Sequence, residues 1–480
     1  MEDQEIERGS TGLAIKVGFW YVFSSFLIKS MALITTPIFA RIMGTEAYGE
    51  FSNFVSWRLI IMIIVGLELY NTLPRAYYDY KERFDGYAST IAIFGGVITF
   101  LCYIVFLGAK SFFLQIVNIP EQLIHILFIS LFFALAKNVF ITREKTLYHY
   151  KSVAAISFFD GIFPTLVSIA AVLAVSDQFD LFARVYGFYA TSLLSGIFCF
   201  VFILWKGRYF KWDYCKYAIK LALPLLINYL TMYLLTNTNA IIAKKMIGSS
   251  ATAVVSISGS MLNIVTVLFQ ATNGAITTLM MDKLEQKKYH EARRDSFFYI
   301  GFLTLIVLGT ILLAPEVVFV LGGTQYAEAV VLIPALAVAA LVQAVVSVLT
   351  TILTYDKNIV KTAVCTGAIA VLSIFAKVLL IPEFGIISLS YVNLAASIIM
   401  FLFSYIFVKK AGYGASFHLK GCFLLLAIAL ITMGISYYLY SHTVIRYALI
   451  AVILLSFFIL AMKNKEKITK VICKFRRSKS

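Results

Sequence analysis

Residues 329–354 read AVVLIPALAVAALVQAVVSVLTTILT, a run without one charged side chain. At about 1.5 Å of rise per residue, a helix of that length exceeds the ~30 Å hydrocarbon core of a bilayer. A membrane barrel strand is excluded, because such strands alternate apolar and polar residues over about ten positions. The stretch is therefore a transmembrane helix, whose backbone groups are satisfied within the segment itself.

Similar runs recur on both sides of it. The expected spans are 15–39, 48–71, 88–109, 122–142, 153–175, 184–205, 218–242, 252–278, 297–321, 329–354, 361–382, 386–408, 421–440 and 444–462. Composition agrees: of 480 residues 61% are hydrophobic and 14% charged, with a mean hydropathy of +0.88. Soluble domains are ~45–50% apolar and ~25% charged, so this chain has too little polar surface to face water. The fold class is an all-α polytopic membrane protein of about 14 transmembrane helices. Its longest connections, 73–87, 206–217 and 282–296, are too short for a folded domain. Binding or chemistry must take place between helices.

The net charge of +16 is distributed by side. Of the 41 Lys and Arg, 31 fall on the side that holds both ends of the chain, 6 on the other and four within spans. By the positive-inside rule both termini are cytoplasmic, which places the chain in the cell inner (cytoplasmic) membrane. The tail, 463–480, carries eight of those basic residues and is expected to lie against anionic headgroups. The basic balance thus reflects topology and membrane lipids, with no nucleic-acid partner. Glu2, Asp3, Glu5 and Glu7 make the start acidic where a signal peptide is basic, so no cleavable signal is expected. The six Cys are scattered and the His dispersed, which reads as apolar packing without a metal site.

At an offset of 204 residues, 40–47 (ARIMGTEA) aligns with 244–251 (KKMIGSSA), pairing Arg41 with Lys245 and Gly44 with Gly248. The offset contains an even number of spans, so the two halves share one orientation, related by an axis along the membrane normal. This gives two six-helix lobes, 15–205 and 216–410, and a C-terminal helix pair, 421–462.

Charge within spans is the main functional signal, because a central Lys or Arg costs ~2.5–3.5 kcal/mol on insertion scales. Lys29 and Arg58 lie at roughly 16–18 Å depth on neighbouring helices, counted from the outer end. Two cations at one depth point to a hydrated cavity that receives an anion; the competing reading is snorkelling or pairing with backbone carbonyls. Lys137 and Asp160, of opposite charge and equal depth, read as a structural ion pair, with a proton relay through Asp160 as the alternative. Lys377 is expected to snorkel, and Glu68 and Glu316, near span ends, receive no role. Polar stripes add Ser25 and Thr36 on the face of Lys29, then Asn263 and Gln270 on the eighth span and Gln343 on the tenth. Such stripes line a hydrated cavity or, in the competing reading, pack helices together. Neither a nucleotide-phosphate loop nor an HExxH zinc motif is present, so ATP on this chain is not expected to drive it.

An ordered set of motifs carries a resemblance. Residues 36–44 (TPIFARIMG) with Tyr48-Gly49, Leu223-Pro224-Leu225, residues 313–329 (LAPEVVFVLGGTQYAEA) and residues 380–386 (LIPEFGI) resemble the polysaccharide transporter family along essentially the whole chain. Its members are Wzx-type flippases, related to lipid II flippases and to multidrug and toxin extruders. The resemblance implies two lobes around a central cavity bordered by helices 1, 2, 7 and 8, and alternating access by rocking. The implied substrate is an undecaprenyl-diphosphate-linked oligosaccharide, carried across for O-antigen, capsule or exopolysaccharide synthesis, beside other polysaccharide assembly proteins. Lys29, Arg58, Ser25, Thr36, Asn263, Gln270 and Gln343 are the substrate-binding candidates. No cofactor is implied, and coupling would be to a proton or sodium gradient. Many relatives carry Asp where this chain has Asn239, which leaves the coupling ion open. Two other readings stand beside it: a multidrug-type exporter, disfavoured by mid-membrane cations, and a membrane glycosyl polymerase or ligase, disfavoured by short outer loops.

Overall fold

The computed structural model describes residues 34–356 and 359–463; many side chains within 224–236, 264–278, 359–363 and 453–463, those of Asn228 and Gln270 among them, lie outside the description. The described chain is built of helices, with no strand among the described residues. The long helices are α1 (Thr45–Gly66), α2 (Phe84–Gly108), α3 (Glu121–Thr146), α4 (Tyr150–Leu173), α5 (Asp180–Gly207), α6 (Trp212–Met246) and α7 (Ser249–Glu285). They continue with α8 (Tyr289–Leu312), α9 (Ala329–Tyr355), α10 (Ile359–Phe384), α11 (Ile387–Lys410), α12 (Leu419–Leu439) and α13 (Thr443–Lys463). Among the described residues eleven helices are long and apolar enough to cross a membrane. Helices α6 and α13 coincide with two further expected spans, and the first span lies mostly outside the described residues.

Several span ends differ from the sequence reading, each for a local reason. Helix α1 stops at Gly66, because Leu67 and Glu68 both take left-handed backbone angles (φ 47° and 53°) and a short 3₁₀ turn follows. The ninth span is two helices: α8 ends at Leu312, and a separate helix, Ala314–Gly322, opens with Pro315. Proline has no N–H to bond the preceding turn, so it starts the second helix instead of continuing the first.

Lys377 does not snorkel. It is fully buried on α10, and its Nζ has no hydrogen-bond partner among the described residues. The chain reverses at Gly385 (φ +61°) and α11 packs back on α10; Asn393 on α11 has an Oδ1 that is likewise buried without a partner among the described residues. Position along a helix sets how far a side chain must reach; packing of α10 on α11 decides whether it can. Snorkelling needs an open path along the stem.

The helices group into two compact units, Met1–Ser256 and Ile257–Ser480, with the division inside α7. In the first, α3 and α5 pack together and α4 packs on α5, while α6 packs on α1. The centre of the second unit is α9, which carries no charged side chain along 329–354 and is buried over most of its length. Helices α8, α11 and α12 pack against it.

The two turns matched at an offset of 204 residues meet within the first unit. Thr45 Oγ1 lies 3.5 Å from Ser250 Oγ, and Lys244 donates to Glu50 and to Ser249 Oγ, 2.6 Å away. A Cβ on Gly49 would come within 1.8 Å of the Ser249 carbonyl oxygen, so only glycine allows these backbones to approach.

Candidate functional site

Arg58 projects from α1 against α3 and α5. Ser130 Oγ on α3 donates to the Leu127 carbonyl at 2.8 Å, which turns its lone pairs outward, and they accept Arg58 Nε at 3.1 Å. The guanidinium lies over the Tyr189 ring of α5, 4.6 Å from its centroid. Tyr189 is in turn held by the Phe54 ring, 5.5 Å away. One nitrogen and one face of the guanidinium are thus fixed. No partner is recorded for its two terminal nitrogens among the described residues, and a planar fork so presented suits paired anionic oxygens.

Lys137 lies two helical turns beyond Ser130 on the same face of α3. Its Nζ is 2.5 Å from Asp160 Oδ2 on α4 and donates to Ser192 Oγ on α5 at 2.9 Å. Ser195 Oγ donates to the other carboxylate oxygen at 2.6 Å. Both side chains of the ion pair are largely covered, at 13% and 19% exposure, so solvent screens the pair weakly.

These groups form one cluster. Arg58, Ser130, Lys137, Tyr189 and Ser192, with Phe133, Ala134 and Leu193, line a cavity of about 10 Å³, room for about one water. The sequence reading gave Arg58 and Lys137 different roles, Arg58 with Lys29 at an anion site and Lys137 in an ion pair with Asp160. Packing of α1 on α3 and α5 brings Arg58 and Lys137 to the wall of one cavity. Tyr189, Ser192 and Ser195 were not singled out from sequence; their i, i+3, i+6 spacing on α5 was the available signal.

The other candidates are placed as follows. Lys29 and Ser25 lie outside the described residues, as does the side chain of Gln270. Thr36 is buried in the first unit. Asn263 is exposed on α7 in the second unit. Gln343 Nε2 on α9 donates to Ser397 Oγ on α11 at 3.4 Å, and Ser347 Oγ donates to Asn273 Oδ1 on α7 at 3.1 Å. The α9 stripe thus meets neighbouring helices by hydrogen bonds that hold them together. Asn239 is buried, and its Oδ1 has no partner among the described residues.

Three arginines counted as loop charges are also buried. Arg143 pairs with Asp85 (2.6 Å) and with Glu144. Arg184 stacks on Phe51 and Phe39, 3.5 and 3.9 Å from their centroids. Arg446 pairs with Glu316, whose carboxylate also accepts from Tyr447 at 2.7 Å, so Glu316 does have a structural part.

A protein of the Lsg locus of Haemophilus influenzae is 22% identical over 326 residues, 64% of this chain and 77% of that protein. In fold, the chain is similar to the lipid II flippase MurJ in an inward closed conformation, with a TM-score of 0.72 at 13% identity, covering 93% of this chain and 99% of MurJ. It is also similar to an inward-facing multidrug resistance MATE transporter of the MOP superfamily, with a TM-score of 0.59 at 14% identity over 80% of this chain and 95% of that one. The profile of the polysaccharide biosynthesis proteins matches residues 14–284, more than half of the chain, with Arg58, Lys137 and Asp160 inside the match. This chain belongs to the polysaccharide biosynthesis protein family.

Proposed function

We propose that the chain is a flippase that moves undecaprenyl-diphosphate-linked oligosaccharide units from the cytoplasmic to the outer leaflet by alternating access. The products would feed O-antigen, capsule or exopolysaccharide assembly. The observation that carries this reading is Arg58: a cation inside a membrane helix, fixed by Ser130 and Tyr189, whose terminal nitrogens have no recorded partner among the described residues. An unneutralised guanidinium at that depth is costly, and the cost is offset when an anionic headgroup passes. Lys29, from the same sequence pattern, would share the diphosphate as a point charge. Membership of a polysaccharide biosynthesis family and a MurJ-like fold support a lipid-linked glycan as the cargo. A multidrug exporter that carries cations is disfavoured by the same arginine.

The reading extends to an inner-membrane location with cytoplasmic termini, to the absence of enzymatic chemistry, and to transport driven by a proton or sodium gradient. It also includes contact with other assembly proteins at the outer leaflet. The test is Arg58→Ala in a host lacking its own copy. Lipid-linked glycan should accumulate on the cytoplasmic side while membrane abundance of the variant stays normal. Wild-type surface polysaccharide from Arg58→Ala would overturn the proposal.

A further inference from the structure

The geometry points to Lys137 as a second phosphate-binding residue of the Arg58 site, held by Asp160 at rest and exchanged onto the substrate's diphosphate. This rests on the flippase reading above. Lys137 and Arg58 line one cavity, so a single bound group could touch both. A diphosphate presents anionic oxygens on two adjacent phosphorus atoms, which suits a forked guanidinium beside a point-like ammonium.

The contacts of Lys137 fit a group that changes partner. Its ammonium has three N–H donors, of which Asp160 and Ser192 take two. The four-carbon stem is flexible, so the head can move without moving the helix. Asp160 keeps the Ser195 hydroxyl when Lys137 leaves, so its carboxylate does not lose every donor. The cavity at rest has room for about one water, so phosphate contact requires it to widen as Lys137 turns away from Asp160. Stability alone does not account for the pair. A buried ion pair is often no more stabilising than apolar residues of similar volume. Here the pair leaves a positive cluster, with Arg58 and Lys137 against the single carboxylate of Asp160. A site of that sign is poised for an anion.

A charge-neutral double variant separates this role from a structural one. The full chain in phosphatidylcholine vesicles is titrated with undecaprenyl diphosphate, with undecaprenol as the uncharged control. Asp160→Asn frees Lys137 while its amide oxygen keeps the Ser195 hydrogen bond, and it should bind the diphosphate severalfold tighter than wild type. Lys137→Met with Asp160→Asn removes both charges, so membrane abundance should be normal. Binding should nonetheless fall by about tenfold or more, the loss of one charge-assisted contact. Wild-type binding by that double variant would show Lys137 to be only a partner of Asp160, overturning the inference. If the double variant fails to reach the membrane, Asp160→Asn decides alone: unchanged or weaker binding overturns the inference. Arg58→Ala serves as the reference. If it too binds normally, the flippase reading fails; if it alone is impaired, only the role of Lys137 fails.

Discussion

At the scale of the residue, Arg58 owes its value to what holds it. Ser130 takes Nε, Tyr189 takes one face, and the terminal nitrogens have no recorded partner among the described residues. Lysine at this position would keep the charge. It would lose the planar stack on Tyr189 and could not bond Ser130 while presenting two parallel donors. Arg58→Lys should therefore retain transport on the order of a tenth of wild type, at normal membrane abundance. Lipid-linked glycan turnover in cells measures this, and full activity would show that charge alone suffices. The same residue illustrates the limit of counting depth along one helix. Its partners come from α3 and α5, which no spacing on α1 reveals.

At the scale of the element, the α10–α11 hairpin carries a buried ammonium, Lys377, and a buried amide oxygen, of Asn393, neither with a partner among the described residues. Burying a charge without a partner is strongly unfavourable, and an apolar side chain of similar length removes that cost. Lys377→Met should raise the melting temperature of the purified protein by roughly 1–3 °C. A fall in stability, or loss of transport with stability intact, would mean that the ammonium has a functional partner. Pro315 acts at the same scale. It divides an apolar stretch that hydropathy alone reads as one span into α8 and the short helix after it. Hydropathy measures solvent preference and is blind to a missing N–H.

At the scale of the whole molecule, the spans expected from sequence put 31 of the 41 basic residues on the side that holds both ends of the chain. That asymmetry predicts cytoplasmic termini, whatever the packing of the helices. A reporter fused after Ser480 should be active only if it works in the cytoplasm. An externally active reporter at that point would overturn the topology. Burial of Arg143, Arg184 and Arg446 leaves this argument intact, because insertion reads charge before the helices pack.

The sequence by itself determined the fold class, since apolar runs long enough to span a bilayer leave the backbone no choice but helix. It also marked Arg58, Lys137 and Asp160, because charge in an apolar run is conspicuous wherever it sits. The tertiary structure decided which of them meet. Packing of α1 against α3 and α5 puts Arg58 and Lys137 on the wall of one cavity. It likewise decided that Lys377 is sealed in, and that Gln343 and Ser347 bond to neighbouring helices. The physical reason is the same in each case. Helix formation and membrane insertion are local and are written in runs of adjacent residues. The partner of a polar group is set by helix rotation and packing, which depend on contacts between residues far apart in the chain.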